Sequence, residues 1–491
     1  MTETRRDFIK TALQAGIGAS VLRTQLGASV RDPDRGQRPN ILLLLPDQWR
    51  GDWMSTNPAL PIRTPNLDRI ASRGIRFDRA FVASPLCAPS RGCLASGMEY
   101  EHADTPSNSA NYPERLPTFY GKLRDAGYHV LGCGKMDLAK NANWWGIDGK
   151  WRIHSWGFSD GINNAGKIDQ VIGLELNDGQ PADPYMAYLQ SRGLMPEHVK
   201  DYNMRRKKGY AATAPTPLPD DAYCDNWVTE NGLKLLDQAP SNKPWFMQVN
   251  WPGPHNPEDI TASMERSVRS RKMPPVNGSN QYSAEVNGTI RQNYTAMCEN
   301  IDRGVGKFLD WLEASGQLEN TLVIFSSDHG EMLGDHGRWG KTVPFQASVG
   351  VPMLIAGPAI QKNATSSALV SSIDLTATCL DYGGAQTAGI DGKTLRPVLE
   401  GTAQSHRQVV YSGLGPWRMV CDGQYKVITG FGEGRENPNE DYSKYSPKAL
   451  SQPPMVFDMQ KDPMETKDLA DSIPAAAQTL LNKLKDGNYP A

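Results

Sequence analysis

At 491 residues the chain exceeds the size at which one hydrophobic core usually stops growing, so a large domain with a smaller companion is expected. A net charge of -2, from 52 basic and 54 acidic residues, gives no basis for nucleic-acid binding. No apolar run of about 18 residues occurs, so no membrane span is encoded, and 39% hydrophobic with 22% charged residues is the balance of an ordinary globular protein.

From the N-terminus, Thr4-Arg5-Arg6-Asp7-Phe8-Ile9-Lys10 resembles a twin-arginine export signal. A mildly apolar stretch, Thr11 to Leu22, and the small residues Gly27-Ala28-Ser29 follow it. The resemblance implies a signal peptide and linker over residues 1–35, passage through the twin-arginine translocase, and a periplasmic or secreted location in a bacterium.

Asn40-Ile41-Leu42-Leu43-Leu44-Leu45 reads as a buried parallel strand with Asp47 and Gln48 just beyond its carboxyl end. Thr64 to Ala71 predicts a helix, and Arg76 to Ala83 a strand that feeds a loop. That loop carries Cys87-Ala88-Pro89-Ser90-Arg91. Pro89 suits the first turn of a helix, so position 87 falls where helix N–H groups converge, a natural anion site. A helix is predicted over Pro117 to Ala126.

Residues 140–225 hold Trp144, Trp145, Trp151, Trp156 and many Gly, Asn and Pro. Together with the polar stretch 262–290 they read as long excursions from the core, where substrate-specific loops usually sit. Trp245 to Asn250 is a strand leading into Pro252-Gly253-Pro254-His255. A helix from about Gln292 to Ala314 places Met297, Ile301, Val305, Phe308 and Leu312 on one face. Leu322 to Phe325 is a further strand, ending in Ser326-Ser327-Asp328-His329-Gly330.

Alternating strands and helices point to an α/β sandwich, with polar residues beyond the strands' carboxyl ends where such sheets place their sites. After about residue 403 the pattern changes to the short segments Gln408 to Ser412, Trp417 to Asp422 and Tyr425 to Gly430, then a helix from Pro474 to Lys485. Residues 36–402 are therefore expected to form the catalytic domain. Residues 403–491 are expected to form a subdomain of antiparallel sheet and one helix. The seven cysteines, at 87, 93, 133, 224, 298, 379 and 421, show no metal-type spacing, and their pairing cannot be read from sequence.

Cys87-Ala88-Pro89-Ser90-Arg91 resembles the C-x-P-S-R signature of type I sulfatases, and the likeness runs along nearly the whole chain beyond the N-terminal segment. Pro39-Asn40-Ile41 leading to Pro46-Asp47-Gln48 is similar to the family's first metal-binding strand. Thr64-Pro65-Asn66-Leu67-Asp68 is similar to the following helix, and Ile324 to Gly330 to the second metal-binding strand. Asp374 to Cys379, Gly392-Lys393-Thr394-Leu395, and Phe457-Asp458 with Asp462-Pro463-Met464-Glu465-Thr466 resemble the late helix, loop and C-terminal signature. The fold this implies is alkaline-phosphatase-like, with a mostly parallel central sheet flanked by helices. The activity it implies is sulfuric ester hydrolysis. A formylglycine-generating enzyme would oxidise Cys87 to formylglycine, an aldehyde whose hydrate is the nucleophile.

The resemblance assigns metal binding to Asp47, Gln48, Asp328, His329 and the modified residue 87. The commonest pattern has Asp where Gln48 stands and often Asn where His329 stands, so a negative charge is missing and an imidazole is added. Ca2+ is expected because it prefers oxygen ligands, with Mn2+ the alternative because it accepts mixed oxygen and imidazole sets. Arg91 would hold the modified residue, Lys135 would contact the sulfate, and His255 would protonate the leaving oxygen. Lys341, twelve residues beyond His329, would lie near both sulfate and leaving group.

Asp137 stands where the family has a proton-accepting His. A carboxylate can act as that base but also repels an anion, and its role stays open. His336 is a candidate substrate contact. The tryptophans at 144, 145, 151 and 156 stack on sugar rings or fill the core, with core packing expected for most. A sulfated carbohydrate is the expected substrate. The Asp-Gln and Asp-His pairs also occur in phosphonate monoester and phosphodiester hydrolases of the same superfamily, which is the second reading. A non-catalytic carbohydrate-binding relative, suggested by Asp137, is the third.

Overall fold

The computed structural model describes residues 38–278, 281–432 and 453–486. The signal-like segment at residues 1–35 lies outside the described residues. Eight strands form one sheet: β1 (Asn40–Leu44), β2 (Gly74–Phe81), β3 (His129–Gly134), β4 (Asp160–Asn163), β5 (Trp245–Asn250), β6 (Thr321–Phe325), β7 (Leu354–Ala356) and β8 (Ala364–Ser371). Their spatial order is β4-β3-β5-β1-β6-β7-β2-β8. Every neighbouring pair is parallel except those made by β7, which runs against both β6 and β2. The mostly parallel sheet expected from sequence is therefore what forms. One consequence governs the site: β1, β2, β3, β5 and β6 all end at the same edge of the sheet.

Strand β1 shows why its sequence is an uninterrupted apolar run. Ile41, Leu43 and Leu45 enter the core on one face, while Leu42 and Leu44 enter the core on the other. All five are at most 1% exposed, and burying each such side chain stabilises the fold by roughly 1.5–3 kcal/mol. The face of Leu42 and Leu44 is covered by α1 (Pro65–Arg73), through Leu67 and Ile70, and by two later helices. The opposite face carries α2 (Cys87–Ser96).

The two later helices are α3 (Cys224–Asp237) and α4 (Ala284–Ala314). The long α4 begins eight residues earlier than its apolar periodicity suggests. Ser283 caps it by accepting a hydrogen bond from the Val286 N–H at 3.3 Å, so the first turns are set by the cap while regular burial begins at Asn287 and Ile290. Helix α5 (Ile373–Tyr382) packs beside α2.

The stretch 140–225 differs from its reading as an excursion. It supplies the edge strand β4, the three helices Asp169–Leu176, Pro184–Ser191 and Met195–Lys208, and the first residues of α3. Its Gly- and Asn-rich composition hid this, because β4 is only four residues long and contains Gly161. Trp145 and Trp156 are buried, Trp151 is half-buried beneath the Arg152 guanidinium at 4.9 Å, and only Trp144 is exposed, at 39%. The polar stretch 262–290 likewise holds the short helix Ala262–Val268 and the start of α4.

The smaller sheet is antiparallel, in order β12-β11-β10-β9, from β9 (Val410–Leu414), β10 (Trp417–Cys421), β11 (Tyr425–Thr429) and β12 (Met455–Asp458). Tyr411, Val420, Val427 and Val456 pack against Leu480, Leu481 and Leu484 of α6 (Ala475–Lys485). Alternate residues Val410, Met419, Cys421, Ile428 and Phe457 join the core of the large sheet. All seven cysteines are buried and unpaired.

Candidate active site

Each strand end at the shared edge delivers one or two polar side chains. Asp47 and Gln48 follow β1, Cys87 opens α2 after β2, and Lys135 and Asp137 follow β3. His255 follows β5, and Asp328 and His329 follow β6. The tight turns these positions need are visible in the backbone. Gln48 and Asp137 have φ of +70° and +54°. Gly134, at φ +103°, brings β3 so close to β5 that a Cβ would lie 1.9 Å from the Asn250 carbonyl oxygen.

Ligand atoms of Asp47, Cys87, Asp328 and His329 all lie within 4.8 Å of one another. Cys87 Sγ is 3.4 Å from His329 Nε2 and 4.0 Å from Asp47 Oδ1. His329 Nε2 is 3.6 Å from Asp47 and 3.7 Å from Asp328. Two carboxylates and an imidazole around residue 87 are a donor set that suits a hard or borderline divalent cation.

The Gln48 side chain is held by partners of its own. Its Oε1 accepts from Lys341 Nζ at 2.5 Å, and its Nε2 donates to Glu331. Its backbone N–H donates to Asp328 Oδ1 at 2.9 Å.

The buried Arg91 guanidinium donates from Nε to Asp328 at 2.9 Å, and from Nη1 to Asn250 Oδ1 at 2.9 Å and the Lys135 carbonyl at 2.5 Å. It lies one turn beyond Cys87 on α2 and so clamps that helix to the ends of β3, β5 and β6. Lys135 Nζ pairs with Asp47 Oδ2 and lies 3.1 Å from Asp137 Oδ2. Burial alone would raise the Asp47 carboxyl. Lys135, with His255, Lys341 and His329, outweighs it and holds Asp47 well below the usual carboxylate range. Burial and Asp47 also push the Cys87 thiol up, yet Lys135, Lys341 and His329 bring it down to about 5. The site is built to stabilise negative charge at residue 87.

His255 Nε2 is 2.6 Å from Lys341 Nζ, and its Nδ1 is 2.5 Å from the Asn256 carbonyl oxygen. That carbonyl can only accept, so Nδ1 carries the proton and Nε2 accepts from the lysine. Burial, then Lys341, holds the imidazole well below its ordinary pKa, so it is neutral. His336 does not join this group. It stacks on Phe345 at 4.3 Å and bonds through Nε2 to the Met464 carbonyl at 3.0 Å.

Four neighbours were not singled out from sequence: Asn250, Glu331, Lys140 and Asp169. Lys140 Nζ is 3.1 Å from Asp137 Oδ2 and pairs with Asp169. Asn250 and Glu331 carried a usable signal, since Asn250 is the last residue of β5 and Glu331 follows His329 by two residues. Lys140 and Asp169 carried none.

A family model described as Sulfatase matches residues 39–385. The chain belongs to the sulfatase family. A choline-sulfatase of Rhizobium meliloti is 25% identical over 472 residues, spanning 89% of this chain and 83% of that protein. An arylsulfatase of Clostridium perfringens is 26% identical over 463 residues, spanning 89% and 91%. Among solved structures, the phosphonate monoester hydrolase of Agrobacterium radiobacter superposes with a TM-score of 0.74 at 22% identity, over 92% of this chain and 96% of that one. That likeness speaks for the fold. With the family come a sulfuric ester hydrolase activity and the alkaline-phosphatase-like architecture described above.

Proposed function

We propose that this sulfatase hydrolyses sulfate esters of a carbohydrate, with formylglycine made from Cys87 as nucleophile and a divalent metal, Ca2+ or Mn2+, beside it. One observation carries the reading: side chains matching the family's motif gather on Cys87 from the ends of β1, β3 and β6, with His255 after β5 joined to them through Lys341. Asp47, Asp328, His329 and residue 87 would hold the ion, which when bound supplies Lewis-acid polarisation of the ester and eases ionisation of a neighbouring hydroxyl. Hydrated formylglycine supplies two hydroxyls on one carbon, so that one attacks sulfur and loss of the other's proton frees the product.

The chain's own residues do the rest. Arg91 fixes residue 87 by tying α2 to Asp328 and Asn250. Lys135 neutralises the charge of the bound ester and is itself oriented by Asp47 and Asp137. Lys341 and His255 share one proton across 2.6 Å, and this pair protonates the departing oxygen. Asp137 Oδ1 is buried without a hydrogen-bond partner and so keeps the capacity to accept from a hydroxyl.

Export through the twin-arginine translocase, after cytoplasmic maturation, belongs to the same reading; the Arg5-Arg6 pair at the N-terminus supports it. Among the described residues no helix is long and apolar enough to cross a membrane. Replacing Arg5 and Arg6 by Lys is expected to retain the protein in the cytoplasmic fraction.

Gln48 and His329, with the phosphonate hydrolase neighbour, favour phosphonate monoester hydrolysis as the second reading. Side-by-side rates on an aryl sulfate and an aryl phosphonate monoester decide between them, and a phosphonate preference of roughly tenfold or more would overturn ours. Sulfate release from a panel of sulfated mono- and disaccharides then names the sugar.

A further inference from the structure

Beside Lys135 and Lys341, the site holds a third ammonium group, Lys140, that was not among the residues assigned from the family pattern. Lys140 sits on a short 3-10 turn, Lys140–Ala142, after the loop that carries Lys135 and Asp137. Its Nζ is 3.1 Å from Asp137 Oδ2, and Lys135 Nζ is 3.1 Å from the same oxygen. The two nitrogens are therefore at most twice that distance apart, close enough to reach different oxygens of one tetrahedral anion. The Lys140 side chain is only 12% exposed.

Asp169 anchors Lys140 from the far side. Gly166 closes the arrangement, because a Cβ there would lie 2.8 Å from Lys135 Cε and 2.9 Å from Asp169 Oδ2. With no side chain at 166, the stem of Lys135 and the Asp169 carboxylate pack against the same point.

We propose that Lys140 is a further oxyanion-binding lysine beside Lys135 and Lys341, paired with Lys135, and that Asp137 is the strut holding the Lys135 and Lys140 ammonium groups rather than the proton-accepting base. This rests on the hydrolase reading above and adds to it how the transferred group is gripped. The strut role follows from geometry. Oδ2, shared by the two ammonium groups, has its lone pairs committed to them, so Asp137 holds both in place and only Oδ1 is left to accept from a hydroxyl. In keeping with this, Lys135 and Lys140 overcome the effect of burial and hold Asp137 down at about 2, a poor match for a base working near neutrality. Asp137 Oδ1 still orients a hydroxyl by accepting its hydrogen bond.

The test compares the full-length protein with Lys140→Ala, Lys140→Arg and Asp137→Asn. Binding of inorganic sulfate is measured by calorimetry on each, a readout that needs no turnover. Lys140→Ala is expected to weaken sulfate binding by roughly tenfold or more and to raise KM by a similar factor, with Lys140→Arg recovering most of the loss. Asp137→Asn is expected to weaken sulfate binding while leaving both limbs of the kcat pH profile in place.

Unchanged sulfate affinity in Lys140→Ala would overturn the pairing. A lost acid limb in Asp137→Asn, with sulfate affinity intact, would return Asp137 to the role of base. The hydrolase reading fails separately, if wild-type protein carrying formylglycine and metal binds sulfate but turns over no sulfate ester.

Discussion

His255 and Lys341 form a 2.6 Å pair in which the lysine donates to Nε2 of a histidine whose other nitrogen is tied to the Asn256 carbonyl. The histidine is thus neutral in the resting protein, and under the proposed function this donor–acceptor pair is the source of the leaving group's proton. His255→Ala and Lys341→Met are each expected to lower kcat/KM by about 10²–10³-fold. The loss should be larger for alkyl sulfates, whose alkoxides need a proton, than for nitrophenyl sulfate. Rates across leaving groups of graded pKa measure it. Equal losses across the series would remove the pair from leaving-group protonation.

Residue 87 opens α2 amid Lys135, Lys341 and His329, and its coded thiol is held at about 5. Peptide mass mapping of active protein is expected to show the sulfur of Cys87 replaced by an aldehyde oxygen. Activity across preparations should track the converted fraction. Cys87→Ala should abolish turnover while leaving the fold intact, as read by its melting temperature. Full activity with an unconverted thiol would exclude formylglycine as the nucleophile.

Asp47 and Asp328 place two buried carboxylates within 4.8 Å of His329 Nε2, so metal removal should matter. Chelation is expected to abolish turnover, and Ca2+ or Mn2+ to restore it. Asp328→Asn should remove this rescue at low metal concentration and also release the Arg91 Nε contact. Metal content per chain, determined by atomic spectroscopy before and after chelation, checks the first part directly.

Two buried carboxyls beyond the site give opposite pH signatures. Asp374 is held at about 2: burial would raise it, but the hydrogen-bonded Arg407 guanidinium, with His406 Nε2 3.0 Å away, outweighs burial and lowers it. Its folded pKa lies below its unfolded value of about 3.9, so it contributes about 2 kcal/mol above that pH and loses it as pH falls towards 2. Glu99 is pushed up to about 8, chiefly by burial that Arg407 only partly offsets. Its contribution is complete below the unfolded value of about 4.3 and is lost as pH rises through 8. Glu99→Gln should therefore raise the melting temperature by a few degrees at pH 8–9 and by less at pH 5. Thermal melts across pH 3–9 separate the two effects.

Much of this architecture could be read from local pattern. The apolar runs of β1, β5 and β6 are continuous because both faces of the sheet are covered, and their polar successors mark the site edge. The small antiparallel sheet and α6 were likewise legible from alternation and periodicity. The start of α4 was not, since a serine cap rather than apolar spacing sets it. Nor was β4, whose four residues carry too little pattern to stand out in a Gly- and Trp-rich stretch.

The sequence by itself determined the family and the strand ends that frame the site, because each depends on residues adjacent in the chain. Tertiary structure alone decided what those residues touch. Gln48 turns to Lys341 and Glu331, about 290 residues away in the chain, because its left-handed backbone and two competing partners aim it there. Lys140 joins Lys135 on one oxygen of Asp137 because Asp169, from a helix beyond the edge strand β4, closes on it. Such contacts arise from the packing of distant segments and side-chain orientation, for which a linear pattern has no counterpart.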